Sequence, residues 1–265
     1  MLFRSKGLNQ SVALAKAGTE VYHAGAIGQD GMFLLDMLKD AGVHTEYVKV
    51  LDEVRTGNAI IQNDKSGDNC ILLYGGANQA ITREQVDEVM AHFEKGDYIV
   101  LQNEINELAY IMEKAHEKGL VTVLNPSPMN EKISTLPLDT VNYFLLNEVE
   151  ASQILGKETT GDETWEVIAG QLLERFPHAS IVLTMGSEGS VFKNHEETVI
   201  QPIYKVQAVD TTAAGDTFTG YFIGGILSGL SAKEAMDQAA KASAIAVTRR
   251  GAAPSIPVLS EVQAY

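Results

Sequence analysis

The chain has 265 residues, of which 45% are hydrophobic and 21% are charged, a composition ordinary for a soluble globular protein with a sizeable core. The formal net charge of −15 argues against a nucleic-acid-binding or anionic-membrane-binding surface, because both need clustered lysine and arginine. No apolar run approaches membrane-spanning length, and the single cysteine, Cys70, permits no internal disulfide bond and suits a cytoplasmic location.

Helix-like and strand-like segments alternate along most of the chain, and each strand-like segment is short and apolar. Thr82 and Gln85 form a capping-box signature at the start of one of the helices. This alternation predicts an α/β fold whose mainly parallel sheet is covered by helices on both faces. In chain order the predicted elements are helix 9–16, strand 21–26, helix 32–39, helix 82–93, strand 98–102, helix 108–117, strands 121–124, 143–146 and 180–185, and helices 217–227 and 232–247.

One region breaks the alternation. Residues 55–63 and 69–74 are consecutive strand-like runs joined by the polar and small residues 64–68. They predict a β-hairpin rather than a strand–helix–strand unit. A protruding hairpin in an α/β enzyme is a candidate lid, which would cover about residues 53–77. The alternative is an edge hairpin on the main sheet.

The most informative segment is 209–220, which reads VDTTAAGDTFTG and leads into an apolar stretch. Asp210 and Asp216 bracket a run of small residues. Small residues at a helix start leave backbone N–H groups open to an anion. An acid in the same turn could take a proton from a hydroxyl group that attacks a phosphate. Taken alone, the segment favours a simpler interpretation, an acid stabilised at a helix N-terminus.

Other segments reverse that preference, because together with 209–220 they resemble the signatures of the ribokinase family, the phosphofructokinase-B carbohydrate kinases, in the family's order. The resemblance implies one domain over residues 1–265, folded as a three-layer α/β sandwich with a small β lid. It also implies a homodimer formed through the lid. The matching segments are KGLNQS at 6–11, GAIGQD at 25–30, NEVE at 147–150, TMGSEG at 184–189 and VTRRGAAPS at 247–255.

The resemblance further implies an ATP-dependent kinase that uses Mg²⁺ and K⁺ and phosphorylates a hydroxymethyl group of a small sugar. D-ribose is the leading substrate, and another sugar or a nucleoside is the alternative. Asp216 would be the catalytic base, and the amides of Ala213, Ala214 and Gly215 would form the anion hole. The implied substrate-binding residues are Lys6, Asn9, Glu104 and Asp216.

Nucleotide and metal sites follow from the same resemblance. Glu150 would hold Mg²⁺ through water, although a glutamate here also suits a helix N-terminus. The nucleotide-binding residues would be Asn147, Thr184, Gly186, Ser187, Gly189 and Gly215, although 186–189 alone reads as an ordinary turn between strands. The K⁺ ligands would be Asp210, Thr212, Ala246, Arg249, Gly251 and Ser255, with a turn that holds no ion as the alternative.

The chain departs from the family pattern at its start. Family members begin with a strand that carries a sugar-binding aspartate, followed by lid strands and a Gly-Gly-Lys-Gly-x-Asn segment. Here Met1 falls just before that segment, and Arg4 and Ser5 replace the Gly-Gly pair. We therefore expect an incomplete N-terminal part, two unpaired strand edges and an exposed apolar face. A catalytically impaired sugar- or nucleotide-binding protein is the resulting alternative to an active kinase.

Overall fold

The computed structural model describes residues 5–63, 69–157 and 164–265. None of the helices in this part of the chain is long and apolar enough to span a lipid bilayer. The described helices are α1 (Lys6–Lys16), α2 (Met32–Asp40), α3 (Arg83–Met90), α4 (Leu108–Lys118), α5 (Glu148–Ile154), α6 (Trp165–Arg175), α7 (Ala214–Leu227), α8 (Ala232–Val247) and α9 (Leu259–Gln263). The strands are β1 (Tyr22–Gly28), β2 (His44–Leu51), β3 (Asn58–Asn63), β4 (Asn69–Tyr74), β5 (Tyr98–Gln102), β6 (Val121–Asn125), β7 (Tyr143–Asn147), β8 (Ser180–Thr184), β9 (Ser190–Lys193) and β10 (Thr198–Gln201).

Six strands form the main sheet in the order β10-β9-β8-β7-β6-β5. Strands β5 to β8 are parallel, whereas β9 and β10 add an antiparallel edge. Along β7, Leu145 packs in the core shared with α1, α2, α7 and α8, while Phe144 and Leu146 pack on the other face with α3 to α6. This alternation follows from the period of two in a strand. The predicted three-layer α/β sandwich is therefore confirmed.

Strand β1 does not join the main sheet. It pairs in parallel with β2 alone, and β5 pairs with β6 alone. A cavity of about 700 Å³ separates β1 from β5. The two free strand edges expected from the sequence are therefore present among the described residues. They face each other across a slot, defined here as the space between 22–28 and 98–102.

Strands β3 and β4 pair antiparallel, from Asn58 opposite Tyr74 to Asn63 opposite Asn69, as the hairpin pattern predicts. Their connection, 64–68, lies outside the described residues. The hairpin forms its own two-stranded sheet, so the alternative of an edge hairpin on the main sheet is wrong. At its base, the Thr56 amide and hydroxyl donate to Asp30 Oδ1 at 2.9 and 2.8 Å. This anchors the hairpin to the end of β1, and its role as a lid stays a prediction.

Several predicted helix bounds differ from the structure, since α3 ends at Met90 rather than at residue 93 and α7 begins at Ala214 rather than at residue 217. Helix α1 begins at Lys6 rather than at residue 9, because Ser5 caps it by accepting from the Leu8 amide at 3.4 Å. At α3, only half of the predicted capping box forms. Thr82 accepts from the Gln85 amide at 3.2 Å, but the Gln85 side chain donates instead to the Gly25 carbonyl at 2.8 Å. The buried Gln85 therefore links α3 to β1.

Candidate active site

Asp216 lies in the first turn of α7 and is only 6% exposed. At the start of α7, the Thr217 amide donates a helical hydrogen bond to the Ala213 carbonyl at 2.8 Å. A side chain built at Gly215 would meet nothing within 4 Å, so the backbone here is open to a ligand. The Ala214 amide donates to the Thr211 carbonyl at 3.2 Å, whereas the amides of Ala213 and Gly215 have no partner among the described residues. Two of the three amides assigned to the anion hole are thus available, and the third is engaged.

Two side-chain amides from α1 hold the Asp216 carboxylate. Asn9 Nδ2 donates to Asp216 Oδ2 at 2.9 Å, and Gln10 Nε2 donates to Oδ1 at 3.0 Å. Gln102, the last residue of β5, donates to Gln10 Oε1 at 2.6 Å and so fixes which end of the Gln10 amide faces the acid. The acid is therefore held in one orientation at the carboxyl end of β5.

Burial raises the pKa of the Asp216 carboxyl, although the Lys6 charge and the hydrogen bonds from Gln10 and Asn9 act in the opposite direction. Burial likewise raises the pKa of Glu104, against the effect of hydrogen bonds from the backbone amides of Lys6 and Gly7. Because a general base works best when its pKa approaches the operating pH, the raised pKa of Asp216 suits proton abstraction.

The pKa of Asp216 leads to a prediction about pH. Only the ionised carboxyl can act as a base, so activity should be present above its pKa in the folded protein and lost as the pH falls through that value. Since burial raises this pKa above the ordinary 3.8 in the ligand-free protein, the acid limb of kcat/KM should lie above 3.8. The Lys6→Met variant removes a charge that lowers this pKa and should move the limb to higher pH. A kcat/KM profile whose acid limb stays in place in that variant would contradict the assignment.

The predicted substrate residues lie around the same acid. Glu104 accepts from the Lys6 amide at 3.2 Å and from the Gly7 amide at 3.3 Å, so it caps the N-terminus of α1. The same end of α1 contains Asn9, whose side chain donates to Asp216. The structure therefore brings together Lys6, Asn9, Glu104 and Asp216, which are separated by up to 210 positions in the sequence.

The predicted nucleotide-binding residues of β7 and β8 lie at or just after the carboxyl ends of these neighbouring strands. Asn147 ends β7 and is paired with Thr184 at the end of β8, while Gln102 and Asn125 are paired at the ends of β5 and β6. Three strand spacings span roughly 14 Å from the first of these ends to the last. The predicted sugar-binding and nucleotide-binding residues thus lie at the carboxyl ends of the parallel strands, where open α/β sheets bind ligands.

The turn after β8 is shaped by its glycines. Residues Gly186–Glu188 form a short 3₁₀ turn, and the Met185 amide donates to the Gly189 carbonyl at 2.8 Å. Gly189 has φ = 103°, and a side chain there would lie 2.3 Å from the Gln201 carbonyl. Only glycine fits such a position, and Gly189 is buried there, whereas Gly186, Ser187 and Glu188 are exposed.

Asn147 and Glu150 form a complete capping box at the start of α5. The Glu150 amide donates to Asn147 Oδ1 at 2.9 Å, and the Asn147 amide donates to Glu150 Oε2 at 3.0 Å. The helix-start interpretation therefore accounts for both side chains, and Glu150 Oε1 has no partner in the part of the chain that the structure describes. Within that part, no cluster of three or more histidine, cysteine or acidic side chains could hold a metal.

The two segments assigned to K⁺ meet through protein hydrogen bonds. Asp210 accepts from the Thr212 amide at 3.0 Å and from the Thr212 hydroxyl, and its other oxygen accepts from the Gly251 amide at 3.0 Å. At the end of α8, the Ala246 carbonyl accepts from the Arg249 amide at 3.0 Å. The buried Ser255 hydroxyl donates to the Ala252 carbonyl at 2.7 Å. The carboxylate thus ties the turn before α7 to the loop after α8.

Comparison with known proteins decides the family. The family model for pfkB family carbohydrate kinases matches residues 6–259. The chain belongs to this family. It is 35% identical over 262 residues to a ribokinase of Staphylococcus aureus (strain COL), covering 97% of this chain and 86% of that protein. A ribokinase of Schizosaccharomyces pombe is 36% identical over 273 residues, covering 97% and 84%.

Solved structures agree with the sequence comparison. The structure of Arabidopsis thaliana ribokinase complexed with ribose and ATP superposes with a TM-score of 0.86 at 29% identity, covering 98% of this chain and 86% of that one. This member of the pfkB family is therefore a sugar kinase, a phosphotransferase, with the fold of the ribokinases.

In this pfkB-family kinase, sequence reasoning missed two side chains that shape the site. Gln10 contacts Asp216 directly, and Gln102 orients Gln10. Gln10 follows the predicted Asn9 by one position, but helical neighbours point about 100° apart, so their convergence on one carboxylate was not expected. Gln102 is the last residue of a predicted strand. That position was the one available signal that it lies at the end of the sheet where ligands bind.

Proposed function

We propose that this chain is an ATP-dependent ribokinase that converts D-ribose to D-ribose 5-phosphate. The observation that carries the proposal is the buried Asp216 at the start of α7, with a raised pKa, Lys6 close enough to lower that pKa, and Asn9 bonded to the carboxylate at 2.9 Å. The ribokinases of Staphylococcus aureus and Schizosaccharomyces pombe, both above 30% identity, and the ribose and ATP complexed with the Arabidopsis protein support these substrates.

In the proposed reaction, Asp216 takes the proton from the 5-hydroxyl group of ribose. The hydroxyl oxygen then forms a bond to the γ-phosphorus while the bond from that phosphorus to the bridging oxygen of ADP breaks. The open amides of Ala213 and Gly215 would donate to the transferring oxygens, where backbone dipoles stabilise the transition state without rearrangement. Asp216 finally holds the proton, and ADP leaves with its electron pair.

The remaining predicted residues bind the two substrates. Lys6, Asn9 and Glu104 would hydrogen-bond the sugar hydroxyl groups beside the base. Glu150 would hold Mg²⁺ through water with its Oε1, and bound Mg²⁺ neutralises phosphate charge. The nucleotide would lie along the strand ends on Asn147, Thr184, Gly186, Ser187, Gly189 and Gly215.

The kinase reaction can be tested against the alternatives with one acceptor panel. Purified protein is given ATP and Mg²⁺ with D-ribose, 2-deoxy-D-ribose, D-fructose or adenosine, and ADP formation is followed. We expect the highest kcat/KM with D-ribose, because unpaired polar groups in the site penalise an analogue that lacks a hydroxyl group. A higher value with adenosine would favour a nucleoside kinase. No turnover with any acceptor, together with calorimetric binding of ribose, would favour an impaired binding protein.

We propose that K⁺ binds between the turn 210–212 and the loop 246–255 and activates the enzyme. Support comes from Asp210, which already joins these segments, and from the hard oxygens around it. Replacing Na⁺ or Li⁺ with K⁺ at constant ionic strength should raise kcat. The Asp210→Asn variant keeps the shape but removes the charge and should lose the response. Equal rates in the three salts would refute the site.

We also propose that the hairpin β3–β4 is a lid and that it forms a homodimer contact. Leu72, Leu73 and Tyr74 are 53%, 65% and 50% exposed, a large apolar run for a free surface. Leu73→Lys should convert a dimer to a monomer in sedimentation velocity. Val167→Lys, at a position that is 44% exposed on α6, is the matched control and should stay dimeric. A wild-type monomer at all concentrations would refute the contact.

We infer a cytoplasmic location for the enzyme, since it would draw on ATP and since its one cysteine suits a reducing compartment. Cell fractionation would test this inference, and recovery of the protein outside the soluble cytoplasmic fraction would contradict it.

A further inference from the structure

The loop that carries Glu104 is held in place by its neighbours rather than by regular secondary structure. This loop, called here the Glu104 loop and defined as residues 103–107, joins β5 to α4. Glu107 at its end has φ = 56°, a left-handed conformation that persists in a residue with a side chain where surrounding contacts enforce it. One such contact is the ion pair of Glu107 Oε2 with Arg83 Nε at 2.9 Å. The position of Glu104 therefore depends on what the loop contacts.

Asn106 joins this loop to the segment that follows the hairpin β3–β4. Its side chain pairs with both backbone groups of Ile81, since Oδ1 accepts from the Ile81 amide at 3.0 Å and Nδ2 donates to the Ile81 carbonyl at 2.8 Å. The amide of Asn106 donates to the Asn78 carbonyl at 3.1 Å. Gln79 adds a fourth hydrogen bond, from its Nε2 to the Glu104 carbonyl at 3.1 Å. Three of these four hydrogen bonds involve Asn106.

The segment that Asn106 grips, called here the hairpin exit and defined as residues 75–81, is packed into the base of the hairpin. The Ala77 amide donates to the Arg55 carbonyl at 2.9 Å. A Cβ added at Gly57 would lie 2.5 Å from the Gly75 carbonyl oxygen, so the backbones that enter and leave the hairpin are in direct contact. Because close-packed backbones transmit displacement, a movement of the hairpin carries its exit with it.

The other end of the Glu104 loop is tied to a different part of the fold. Asn103 Nδ2 donates to the Pro128 carbonyl at 2.6 Å, and the Asn103 amide donates to the Ser127 carbonyl at 3.1 Å. Both acceptors follow β6 of the main sheet. The two asparagines therefore link the same loop to two separate sheets, Asn103 to the main sheet and Asn106 to the two-stranded sheet of the hairpin.

Glu104 extends this connection to the sugar-binding residues. Its carboxylate accepts from the Lys6 and Gly7 amides at 3.2 and 3.3 Å at the start of α1, and Asn9 of the same helix donates to Asp216. A displacement of the Glu104 loop would move this carboxylate relative to α1. The contacts thus run without interruption from the hairpin, through the hairpin exit and the Glu104 loop, to the N-terminus of α1.

We propose that Asn106 is a positioning residue that fastens the Glu104 loop to the hairpin exit and so links sugar binding to the position of the hairpin. This rests on the proposed function, in which Glu104 contacts the sugar and the hairpin is the lid. With the link intact, a sugar that orders Glu104 also orders the hairpin, and by thermodynamic reciprocity an ordered hairpin raises the sugar affinity. Without the link, the loop stays attached to the main sheet through Asn103 and the hairpin moves independently.

The test compares Asn106→Ala with Asn103→Ala, which removes the corresponding side-chain bond on the main-sheet side of the same loop. Amide hydrogen exchange is measured with and without D-ribose, at equal site occupancy set by calorimetry. In the wild type, ribose should slow exchange at 6–9, 58–63 and 69–81. Asn106→Ala should bind ribose about tenfold more weakly, keep the protection of 6–9 and lose that of the hairpin. Asn103→Ala should keep both.

A milder variant guards against a fold that does not tolerate alanine. Asn106→Asp keeps the acceptor for the Ile81 amide but loses the donor to the Ile81 carbonyl, so its hairpin protection should lie between those of the wild type and Asn106→Ala. Ribose binding without hairpin protection in the wild type, full hairpin protection in both Asn106 variants, or equal loss in Asn103→Ala would overturn the proposal.

Ribose-free protein separates a failure of this proposal from a failure of the proposed function. Without ligand, Asn106→Ala should speed exchange about tenfold or more at 77–81, where the Ile81 amide loses its acceptor, and at 6–9, because the loop loses one of its two anchors. Asn103→Ala should leave 77–81 unchanged. If the wild type binds no ribose but this difference is present, the sugar assignment is wrong and the link stands. Unchanged exchange in Asn106→Ala would overturn the link even if ribose binds.

Discussion

Replacing Asp216 with asparagine is expected to lower kcat by about 10²–10⁴-fold while leaving ATP affinity nearly unchanged. Asparagine has the same shape but cannot take a proton from the sugar hydroxyl. The carboxylate is hydrogen-bonded to Asn9 and Gln10 on α1, and neither of these residues is assigned to the nucleotide. Steady-state kinetics with saturating ribose, and calorimetric titration of ATP with Mg²⁺, measure the two quantities.

A matched control is available on the next helix. Glu234 occupies the first turn of α8, where it completes a capping box with Ser231, so it is another acid at a helix N-terminus. Glu234→Gln should cost some stability but leave kcat unchanged. If Asp216→Asn kept kcat within a factor of a few of the wild type, Asp216 would not be the base.

Replacing Gly220 with alanine is expected to destabilise the fold by about 1–3 kcal/mol and to lower activity at the same time. An added Cβ would lie 2.3 Å from the Ala13 Cβ and 2.8 Å from the Leu14 amide nitrogen, so α1 would have to move away from α7. Because α1 carries Asn9 and α7 carries Asp216, the same movement would disturb their 2.9 Å contact. Chemical denaturation measures the first effect, and kcat/KM measures the second.

Gly170 provides the comparison for this substitution. It lies within α6, and a side chain there would meet nothing within 4 Å. Gly170→Ala should therefore stabilise the protein by about 0.5–1 kcal/mol, as expected for glycine in a helix interior. A Gly220→Ala protein as stable as the wild type would mean that α1 and α7 can separate without cost.

The parallel strands of the main sheet were predictable because each is a short apolar run between helices. Residues 98–102, 121–124, 143–146 and 180–185 are short apolar runs between helices, and the structure places β5 to β8 there within a residue. Strand β2 escaped prediction because half of its HTEYVKVL sequence is polar and it lies at a sheet edge with four exposed positions. A strand exposed on one side gives a weak hydrophobic signal.

The site was predictable only through the family resemblance. Asn9 and Asp216 are 207 positions apart, and nothing in their local sequence indicates that they touch. Asn147 and Glu150 show the opposite case. Their local spacing indicated a helix start, and a full capping box is present. Gln10 and Gln102 were missed because their role depends on the packing of α1 over the end of β5, which no sequence periodicity encodes.

The most direct test of the central claim is to identify the phosphorylated product by phosphorus and carbon nuclear magnetic resonance. Purified protein is incubated with D-ribose, ATP and Mg²⁺, and the Asp216→Asn and Glu234→Gln variants are run in parallel. The proposed mechanism predicts equal amounts of ADP and ribose 5-phosphate from the wild type and from Glu234→Gln, and almost none from Asp216→Asn. ADP without sugar phosphate, phosphate on another ribose oxygen, or full product from Asp216→Asn would contradict it.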